Sequence, residues 1–163
     1  MLEIKNVSKK YNSKLALNNV SLSLPSGELV GLFGENGAGK TTLMKCILGF
    51  LRYQGRITLD GEPITHANLE RIAFATSEHS FFPDLSPKGH AQFYAEHFTK
   101  FNRRRFDVLM DFFAIPMSGA ARSLSTGQKN QFEVVLALSQ GADYILMDEP
   151  FAGNDIFNRE DFY

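Results

Sequence analysis

The sequence predicts an α/β fold, and three observations carry that prediction. Alternating or apolar runs typical of β-strands recur through the first 75 residues. A glycine-rich loop, Gly34 to Thr42, lies between one such run and a stretch with helical spacing. From about residue 86 to 140 the chain reads mainly as helices, and a short buried strand follows. At 163 residues the chain is long enough for one domain with a substantial core.

The N-terminal elements follow from local patterns. Residues 2–8 and 16–24 predict two strands. Residues 28–33 (ELVGLF) predict a third, short and buried strand that runs into the glycines. From Lys40 apolar residues recur at helical spacing as far as Leu51. We therefore expect the third strand to enter a helix through the glycine-rich loop.

The later elements are predicted in the same way. Residues 55–65 indicate a hairpin with Asp60 and Gly61 at its turn. Ser86 and Pro87 suit the N-cap and first turn of a helix. The remaining predicted elements are a strand over 71–75, helices over 89–98, 103–113 and 125–138, and a buried strand over 144–147.

The composition is that of an ordinary globular protein. Seventeen basic and eighteen acidic residues leave a net charge of −1, which gives no reason to expect nucleic acid as a partner. The single cysteine, Cys46, cannot form an intramolecular disulfide, and the first ten residues lack the apolar stretch of a signal peptide. No apolar run approaches the roughly 18 residues that a membrane span needs. We therefore expect a cytoplasmic protein whose membrane role comes through a partner.

Residues Gly34 to Thr42 (GENGAGKTT) match the phosphate-loop pattern G-x-x-x-x-G-K-[ST]. Glycines allow backbone N–H groups to face phosphate oxygens, and the following helix directs its positive end to the same point. Lys40 would reach the β- and γ-phosphates, and the Thr41 hydroxyl would bind Mg²⁺. The alternative, an incidental glycine-rich turn, arises in on the order of one in a few hundred chains of this length. The predicted nucleotide-binding residues here are Gly34, Asn36, Gly37, Ala38, Gly39, Lys40, Thr41 and Thr42.

Two adjacent carboxylates follow the last predicted strand, in the sequence YILMDEP. A nucleotide site needs one carboxylate to hold Mg²⁺ and a group to orient or deprotonate the attacking water. Asp148 is predicted to serve the metal and Glu149 the water, so that Glu149 and Lys40 are the candidate catalytic residues. Taken alone, the same residues would indicate a solvated turn. Downstream of a phosphate loop they predict the second half of a nucleotide site.

A third motif, LSTGQ over residues 124–128, opens a predicted helix. Serine and glycine at a helix N-terminus make a good anion contact. Taken alone, the motif favours a simpler interpretation, in which Ser125 is an N-cap with turn chemistry. The combination of the three motifs decides between these readings.

The phosphate loop, LSTGQ and the apolar-Asp-Glu motif, in this order, resemble the ATP-binding cassette family, the nucleotide-binding domains that drive ABC transporters. The resemblance extends over essentially the whole chain. It implies a P-loop NTPase fold with a RecA-like core, an antiparallel β subdomain and a helical subdomain that carries the signature LSTGQ. On this basis we expect a β-rich nucleotide-binding part over 1–78, a helical subdomain over 79–140 and the Walker B and interface region over 141–163.

The resemblance also implies residue roles. In the family, the signature of one domain contacts the γ-phosphate of ATP bound to a second domain, so Ser125, Gly127 and Gln128 would serve the ATP of a partner. Tyr11 corresponds to the aromatic residue that stacks on adenine, and the alternative is a core or surface tyrosine. Asp155 corresponds to the loop that crosses the dimer interface. The implied partners are a second cassette domain and a transmembrane subunit.

Two positions depart from the family pattern. Asn154 replaces the apolar residue that usually precedes the interface aspartate. A glutamine that binds Mg²⁺ usually follows the strand at 71–75, but Ser77 stands there, with Glu78 next to it. The implied cofactors are ATP and Mg²⁺, and the implied metal ligands are Thr41, Asp148 and Ser77.

Aromatic residues are concentrated after this strand. They lie where family members receive a short cytoplasmic helix of the membrane subunit, and they are Phe81, Phe82, Phe93, Tyr94 and Phe98, with Pro83 between them. An exposed aromatic groove suits a helix, whereas aromatics at helical spacing equally indicate a core. We expect alanine at Phe81 and Phe82 to weaken assembly with the membrane subunit while sparing the fold.

The other candidate residues receive structural interpretations. The histidines show no metal-ligand spacing and are interpreted as surface or capping residues; they are His66, His79, His90 and His97. Cys46 is assigned to the packed core. Residues 100–105 (KFNRRR) indicate a solvated helix start, with contact to acidic lipid or subunit surfaces as the alternative.

The expected function is an ATP-hydrolysing subunit that powers transport through a separate membrane subunit by ATP-dependent dimerisation, at the inner face of the cell membrane. One alternative is a soluble ABC ATPase of translation or DNA repair, and another is a nucleotide-binding module without turnover. Family members have a further core strand ending in a histidine that contacts the γ-phosphate. All four histidines here precede Asp148. The sequence therefore predicts a C-terminally truncated cassette, and both ATP hydrolysis and ATP binding without turnover stay as alternatives for it.

Overall fold

The computed structural model describes residues 1–149. The chain divides into two compact units, Met1–Ile72 and the part that begins at Ala73. None of the helices among residues 1–149 is long and apolar enough to cross a membrane.

The first unit is built on a four-stranded antiparallel sheet with the strand order β2-β1-β3-β4. The strands are β1 (Leu2–Tyr11), β2 (Lys14–Leu24), β3 (Gln54–Leu59) and β4 (Glu62–Pro63). In β1, Leu2, Ile4 and Val7 are buried. The buried positions change from even to odd numbers because the strand register is irregular between Ile4 and Val7, where Asn6 has φ 52°. The strands and the Asp60–Gly61 turn are as the sequence predicts.

Helix α1 (Lys40–Ile47) buries Leu43, Cys46 and Ile47 in the first unit. It ends earlier than the spacing of apolar residues predicts. Gly49 adopts φ 75°, its N–H donates to Cys46 O, and Phe50 N–H donates to Lys45 O. These bonds form a Schellman motif, which uses glycine because only glycine enters the left-handed region without strain. The extension of the predicted helix to Leu51 was therefore wrong.

The predicted strand over 28–33 was also wrong. No strand is assigned to this segment within the described chain. Leu29, Val30, Leu32 and Phe33 are exposed. An apolar run favours a strand only when neighbouring backbone satisfies its N–H and C=O groups, and a local pattern cannot supply that neighbour.

Up to residue 149, the second unit combines a two-stranded parallel sheet with three α-helices. Its elements are β5 (Ile72–Thr76), α2 (Pro87–His97), α3 (Arg103–Phe112), α4 (Thr126–Ser139) and β6 (Tyr144–Asp148). Phe106 and Met110 from α3 pack with Phe132, Val135 and Leu136 from α4. The strands pack on the opposite side of α4, where its buried residues are Val134 and Ala137. The predicted helices and strands of this unit are confirmed, including the Ser86 N-cap, which accepts from Gly89 N–H.

Candidate functional site

The phosphate loop surrounds the side chain of Lys40. Its Nζ donates to Gly34 O at 2.7 Å and to Glu35 O at 3.0 Å. Ala38 N–H donates to Glu35 O at 3.1 Å, which closes a turn within the loop. The ammonium group is thus held by main-chain oxygens of the loop that precedes its own helix. An anion bound there would meet a positive charge whose position is already restricted.

Two glycines of the loop have backbone conformations that side chains disfavour. Gly37 has φ 84° and Gly39 has φ 98°. A Cβ on Gly39 would lie 2.5 Å from Ala16 O and 2.9 Å from Leu17 Cδ2. Gly39 is therefore required both for its left-handed conformation and for close approach to β2.

The N-terminus of α1 suits a phosphate group. Gly39 is the N-cap and provides no side-chain hydrogen bond, and the first turn contains no acidic residue. Thr41 and Thr42 lie in that turn. The first N–H groups of a helix have no intrahelical partners and carry a partial positive charge. Amide, ammonium and hydroxyl groups are donors and ligands appropriate to a magnesium-bound nucleotide.

Tyr11 is the last residue of β1, and its side chain is exposed. The Nζ of Lys9 lies 5.1 Å from the centre of the ring, and the same Nζ donates to Arg52 O at 2.7 Å. A cation over an aromatic face holds the ring by the attraction of the charge to the π system. Tyr11 is a surface residue rather than a core residue, and its stacking on adenine stays a prediction.

The two carboxylates at the end of β6 have different surroundings. Asp148 is buried, whereas Glu149 is exposed. Glu149 has φ 47°, a left-handed conformation that costs about 1 kcal/mol or more in a residue with a Cβ. The backbone therefore turns sharply between a buried acid that suits a metal ligand and an exposed acid that suits a base. Asn154 and Asp155 lie outside the described residues.

Ser77 is exposed in the turn directly after β5. In this turn Glu78 N–H donates to Thr76 Oγ1 at 3.2 Å and His79 N–H donates to Thr76 O at 3.1 Å. Because β5 and β6 are neighbouring parallel strands, their carboxyl ends lie at one edge of the sheet. The sheet thus brings Ser77 and Asp148 to the same edge. A hydroxyl and a carboxylate are oxygen ligands of the kind that Mg²⁺ prefers.

The signature residues form a capping box at the start of α4. Gln128 N–H donates to Ser125 Oγ at 3.2 Å, and Ser125 N–H donates to Gln128 Oε1 at 3.1 Å. This confirms the N-cap interpretation of Ser125. Gly127 lies between them in the first turn. Contact of these residues with a partner's ATP stays a prediction.

The aromatic residues after β5 divide into core and surface. Phe81 is 9% exposed and belongs to the helical core, and Tyr94 packs against that core. Phe82 is 50% exposed, with its ring centre 5.1 Å from that of Phe93. Phe98 is half-buried beside Tyr94. The expected surface position of Phe81 was wrong, because its ring lies in the helical core, and alanine there is now expected to destabilise the fold.

The assignment of His90 as a surface or capping residue was wrong, because it is a core residue. It is fully buried, Nδ1 lies 2.9 Å from Ser86 O, and Nε2 accepts from Phe82 N–H at 3.0 Å. These partners require a neutral ring with its proton on Nδ1. Burial lowers the pKa of His90, and the Ser86 hydrogen bond partly opposes that effect.

Sequence reasoning also missed Asn130 and Glu133 on α4. Both are buried, and both bind the loop after β5. The available signal was a charged residue inside the apolar run of residues 132–137 (FEVVLA). Glutamate is almost never fully buried unless it is paired.

Comparison with known proteins gives one consistent family. The sequence profile of the family described as ABC transporter matches residues 17–152. The lipopolysaccharide export system ATP-binding protein LptB of Haemophilus influenzae is 35% identical over 99% of this chain and 72% of its own length. A solved ATP-binding subunit of an ABC transporter superposes with a TM-score of 0.84 at 27% identity, covering 95% of this chain and 68% of that one. CbiO1 from Clostridium perfringens, described as part of the ABC transporter complex cbiONQ, gives 0.73 at 26% identity, covering 94% and 67%.

Proposed function

The chain belongs to the ABC transporter family of ATP-binding proteins, and from that premise we propose that it binds and hydrolyses MgATP to power transport through a separate membrane subunit. The observation that carries the proposal is the phosphate loop. Its positive-φ glycines, its uncapped helix start and the restrained ammonium of Lys40 are what a triphosphate requires.

We assign nucleotide binding first to this loop. Backbone N–H groups between Gly34 and Thr42 would donate to phosphate oxygens, and Lys40 would exchange its main-chain oxygens for phosphate oxygens. Tyr11, exposed at the end of β1, would stack on the adenine ring. Thr41, Asp148 and Ser77 would hold the magnesium ion, which neutralises charge on the β- and γ-phosphates when bound.

Hydrolysis is assigned to Glu149. The side chain is exposed at the end of β6, directly after the buried Asp148. As a general base it would accept a proton from the attacking water, while Lys40 stabilises charge on the transferred phosphoryl group. The different surroundings of the two acids support this division of roles.

Dimerisation is assigned to the signature. The capping box fixes the start of α4, so that Ser125, Gly127 and Gln128 present a preformed anion contact to the ATP of a second cassette domain. A membrane subunit would dock at the aromatic surface formed by Phe82 and Phe93. The proposed location is therefore the cytoplasmic face of the membrane, with the protein held there by this partner.

The test is ATP hydrolysis by the purified chain and by the variants Glu149→Gln and Lys40→Ala. Loss of a general base lowers kcat by about 10²- to 10⁴-fold. We expect Glu149→Gln to retain ATP binding while it loses turnover, and Lys40→Ala to lose binding. Glu96→Gln on α2 makes the same chemical change at an exposed position and serves as the control. Turnover that survives Glu149→Gln would contradict the assignment.

Ser77 favours a second candidate function, a cassette that binds ATP without turnover. Serine is shorter than the glutamine that family members carry at this position, and here it is exposed to solvent. Under this candidate the chain binds MgATP but shows no phosphate release above that of Glu149→Gln. Ser77→Gln then provides the direct comparison, because restored turnover would assign the defect to this residue.

A further inference from the structure

Glu133 is a buried carboxylate in the middle of α4. It is 2% exposed, and burial raises its pKa, although hydrogen bonds from Ser80 oppose that shift. Its helical neighbours Phe132, Val134 and Val135 are apolar and buried. An apolar residue would fit this position without the cost of desolvating an acid. The position of Glu133 therefore needs an explanation other than packing.

The carboxylate binds the loop after β5. Ser80 N–H donates to both carboxylate oxygens at 3.0 Å, and Ser80 Oγ donates to Oε1 at 2.5 Å. Hydrogen bonds to a charged acceptor are shorter and stronger than neutral ones. The Glu133 carboxylate thus accepts hydrogen bonds from both donors of Ser80, the main-chain N–H and the side-chain hydroxyl.

A second contact lies one turn earlier on the same face of α4. Asn130 Oδ1 lies 2.7 Å from His79 Nε2, which donates to it. Residues three apart on a helix are neighbours, so Asn130 and Glu133 bind the consecutive residues His79 and Ser80. His79 itself has φ 57°, a left-handed conformation that side chains disfavour. These bonds hold the loop in that conformation.

The other end of the loop is fixed by α2. The Phe81 ring is inserted into the helical core, and Phe82 N–H donates to the buried His90. Residues 79–82 are therefore anchored one after another to α2 and α4. Ser77 and Glu78, which precede them, are exposed.

We propose that Glu133 is a positioning residue that fixes the Ser77 loop to the signature helix, so that Ser77 and the start of α4 keep a constant relation during ATP hydrolysis. This inference rests on the proposed function. Glu133 lies about two turns along α4 from Ser125. The predicted partner contact thus lies at the start of α4, and the loop that carries the predicted metal ligand Ser77 is bound to the middle of the same helix.

The test begins with Glu133→Gln, which keeps the size of the side chain. Its remaining oxygen can still accept from Ser80, but its NH₂ group replaces the second acceptor and places a donor against Ser80 N–H, so the bond to Oε2 is lost and the ionic character of the others with it. We expect hydrogen exchange of the Ser80 amide to accelerate about tenfold in the purified chain. In the same variant kcat should fall about tenfold and the Mg²⁺ concentration for half-maximal activity should rise, while KM for ATP stays within about twofold.

Controls separate positioning from stability. Glu96→Gln repeats the chemical change on the exposed face of α2, and Met110→Ala removes a fully buried side chain from α3. Neither should change the Mg²⁺ dependence. Ser80→Ala, which keeps the amide but loses the hydroxyl, should fall between wild type and Glu133→Gln. Ser80→Thr, which keeps both donors, should behave like the wild type.

The outcomes distinguish this inference from the proposed function. A wild-type chain that neither binds nor hydrolyses ATP defeats the proposed function and the functional role of Glu133 together. The inference alone fails if the wild-type chain hydrolyses ATP but Glu133→Gln has the same kcat and Mg²⁺ dependence as Glu96→Gln or Met110→Ala. A Ser80 amide that exchanges freely in the wild type also overturns it.

Discussion

Phe81 and Phe82 are adjacent in sequence, yet alanine substitutions at these positions should have very different effects on stability. Phe81 is 9% exposed, with ring centres of Phe132 and His90 at 5.3 Å and 6.0 Å. Removal of a buried phenylalanine ring destabilises a protein by about 3–5 kcal/mol. That is a large part of the roughly 5–15 kcal/mol that separates a folded domain from its unfolded state.

Phe82 is 50% exposed, so about half of its ring is already in water in the folded state. Full burial of a phenylalanine contributes about 1.5–3 kcal/mol, and half of that is about 1 kcal/mol. With a denaturant slope of about 2 kcal/mol/M in urea, the unfolding midpoint should fall by about 2 M for Phe81→Ala and about 0.5 M for Phe82→Ala.

The assay is equilibrium urea unfolding followed by circular dichroism at matched protein concentrations. If Phe81→Ala does not fold, Phe81→Leu gives a measurable midpoint, because a volume-conserving apolar change usually costs less than about 1.5 kcal/mol. Binding of a membrane subunit should then be tested with Phe82→Ala, which keeps the fold. Equal shifts for the two alanine variants, or a larger shift for Phe82→Ala, would refute the division into core and surface.

Three further predictions concern other parts of the chain. Gly39→Ala should abolish binding of a fluorescent ATP analogue and lower the melting temperature more than Gly49→Ala does. Both substitutions strain a positive φ, but only at Gly39 would the new Cβ lie 2.5 Å from a main-chain oxygen, that of Ala16. Equal effects of the two substitutions would contradict this reason. The free energy of unfolding should fall as pH drops below about 6.5, since the pKa of His90 is lower in the folded state and the unfolded chain binds the proton first. The pKa of Glu133 is raised, so the unfolded chain releases that proton first as pH rises above about 4.5, which acts in the opposite direction. The difference in unfolding free energy between wild type and His90→Gln isolates the histidine effect. If that difference is the same at pH 8 and pH 5, the prediction is refuted. Ser125→Asp should keep the N-cap and the melting temperature but lose ATP-dependent dimerisation, whereas Ser125→Ala should lose both, with about 1 kcal/mol of stability, as judged by calorimetry and size-exclusion chromatography.

The features predicted correctly from sequence are those that local residues determine. The caps at Ser86 and Ser125 are set by serine side chains that bind backbone N–H groups three residues later. The Asp60–Gly61 hairpin depends on two residues that tolerate positive φ, here 53° and 85°. In each case the sequence contains both partners of the interaction, so a short window is sufficient.

The errors arise where a partner lies far along the chain. The run over 28–33 has strand character, but pairing depends on another segment. Phe81 and Phe82 have the same side chain, and only the position of α2 and α4 decides which ring is buried. His90 is buried because Ser86 O and Phe82 N–H satisfy its two nitrogens, and neither contact follows from the spacing of histidines.

Ser125 shows why a structural and a functional interpretation of the same residue need not compete. As an N-cap, its Oγ accepts a hydrogen bond from Gln128 N–H. A hydroxyl has two acceptor lone pairs and one donor proton, and contact with a phosphate uses the proton. The cap therefore uses one acceptor lone pair of the hydroxyl and leaves its proton available to donate to an anion. Because the Gln128 side chain is bound to the Ser125 amide, the cap also fixes the serine before a nucleotide arrives. The interaction that begins the helix thus preorganises the proposed site, and only a substitution that keeps the acceptor but removes the donor separates the two roles.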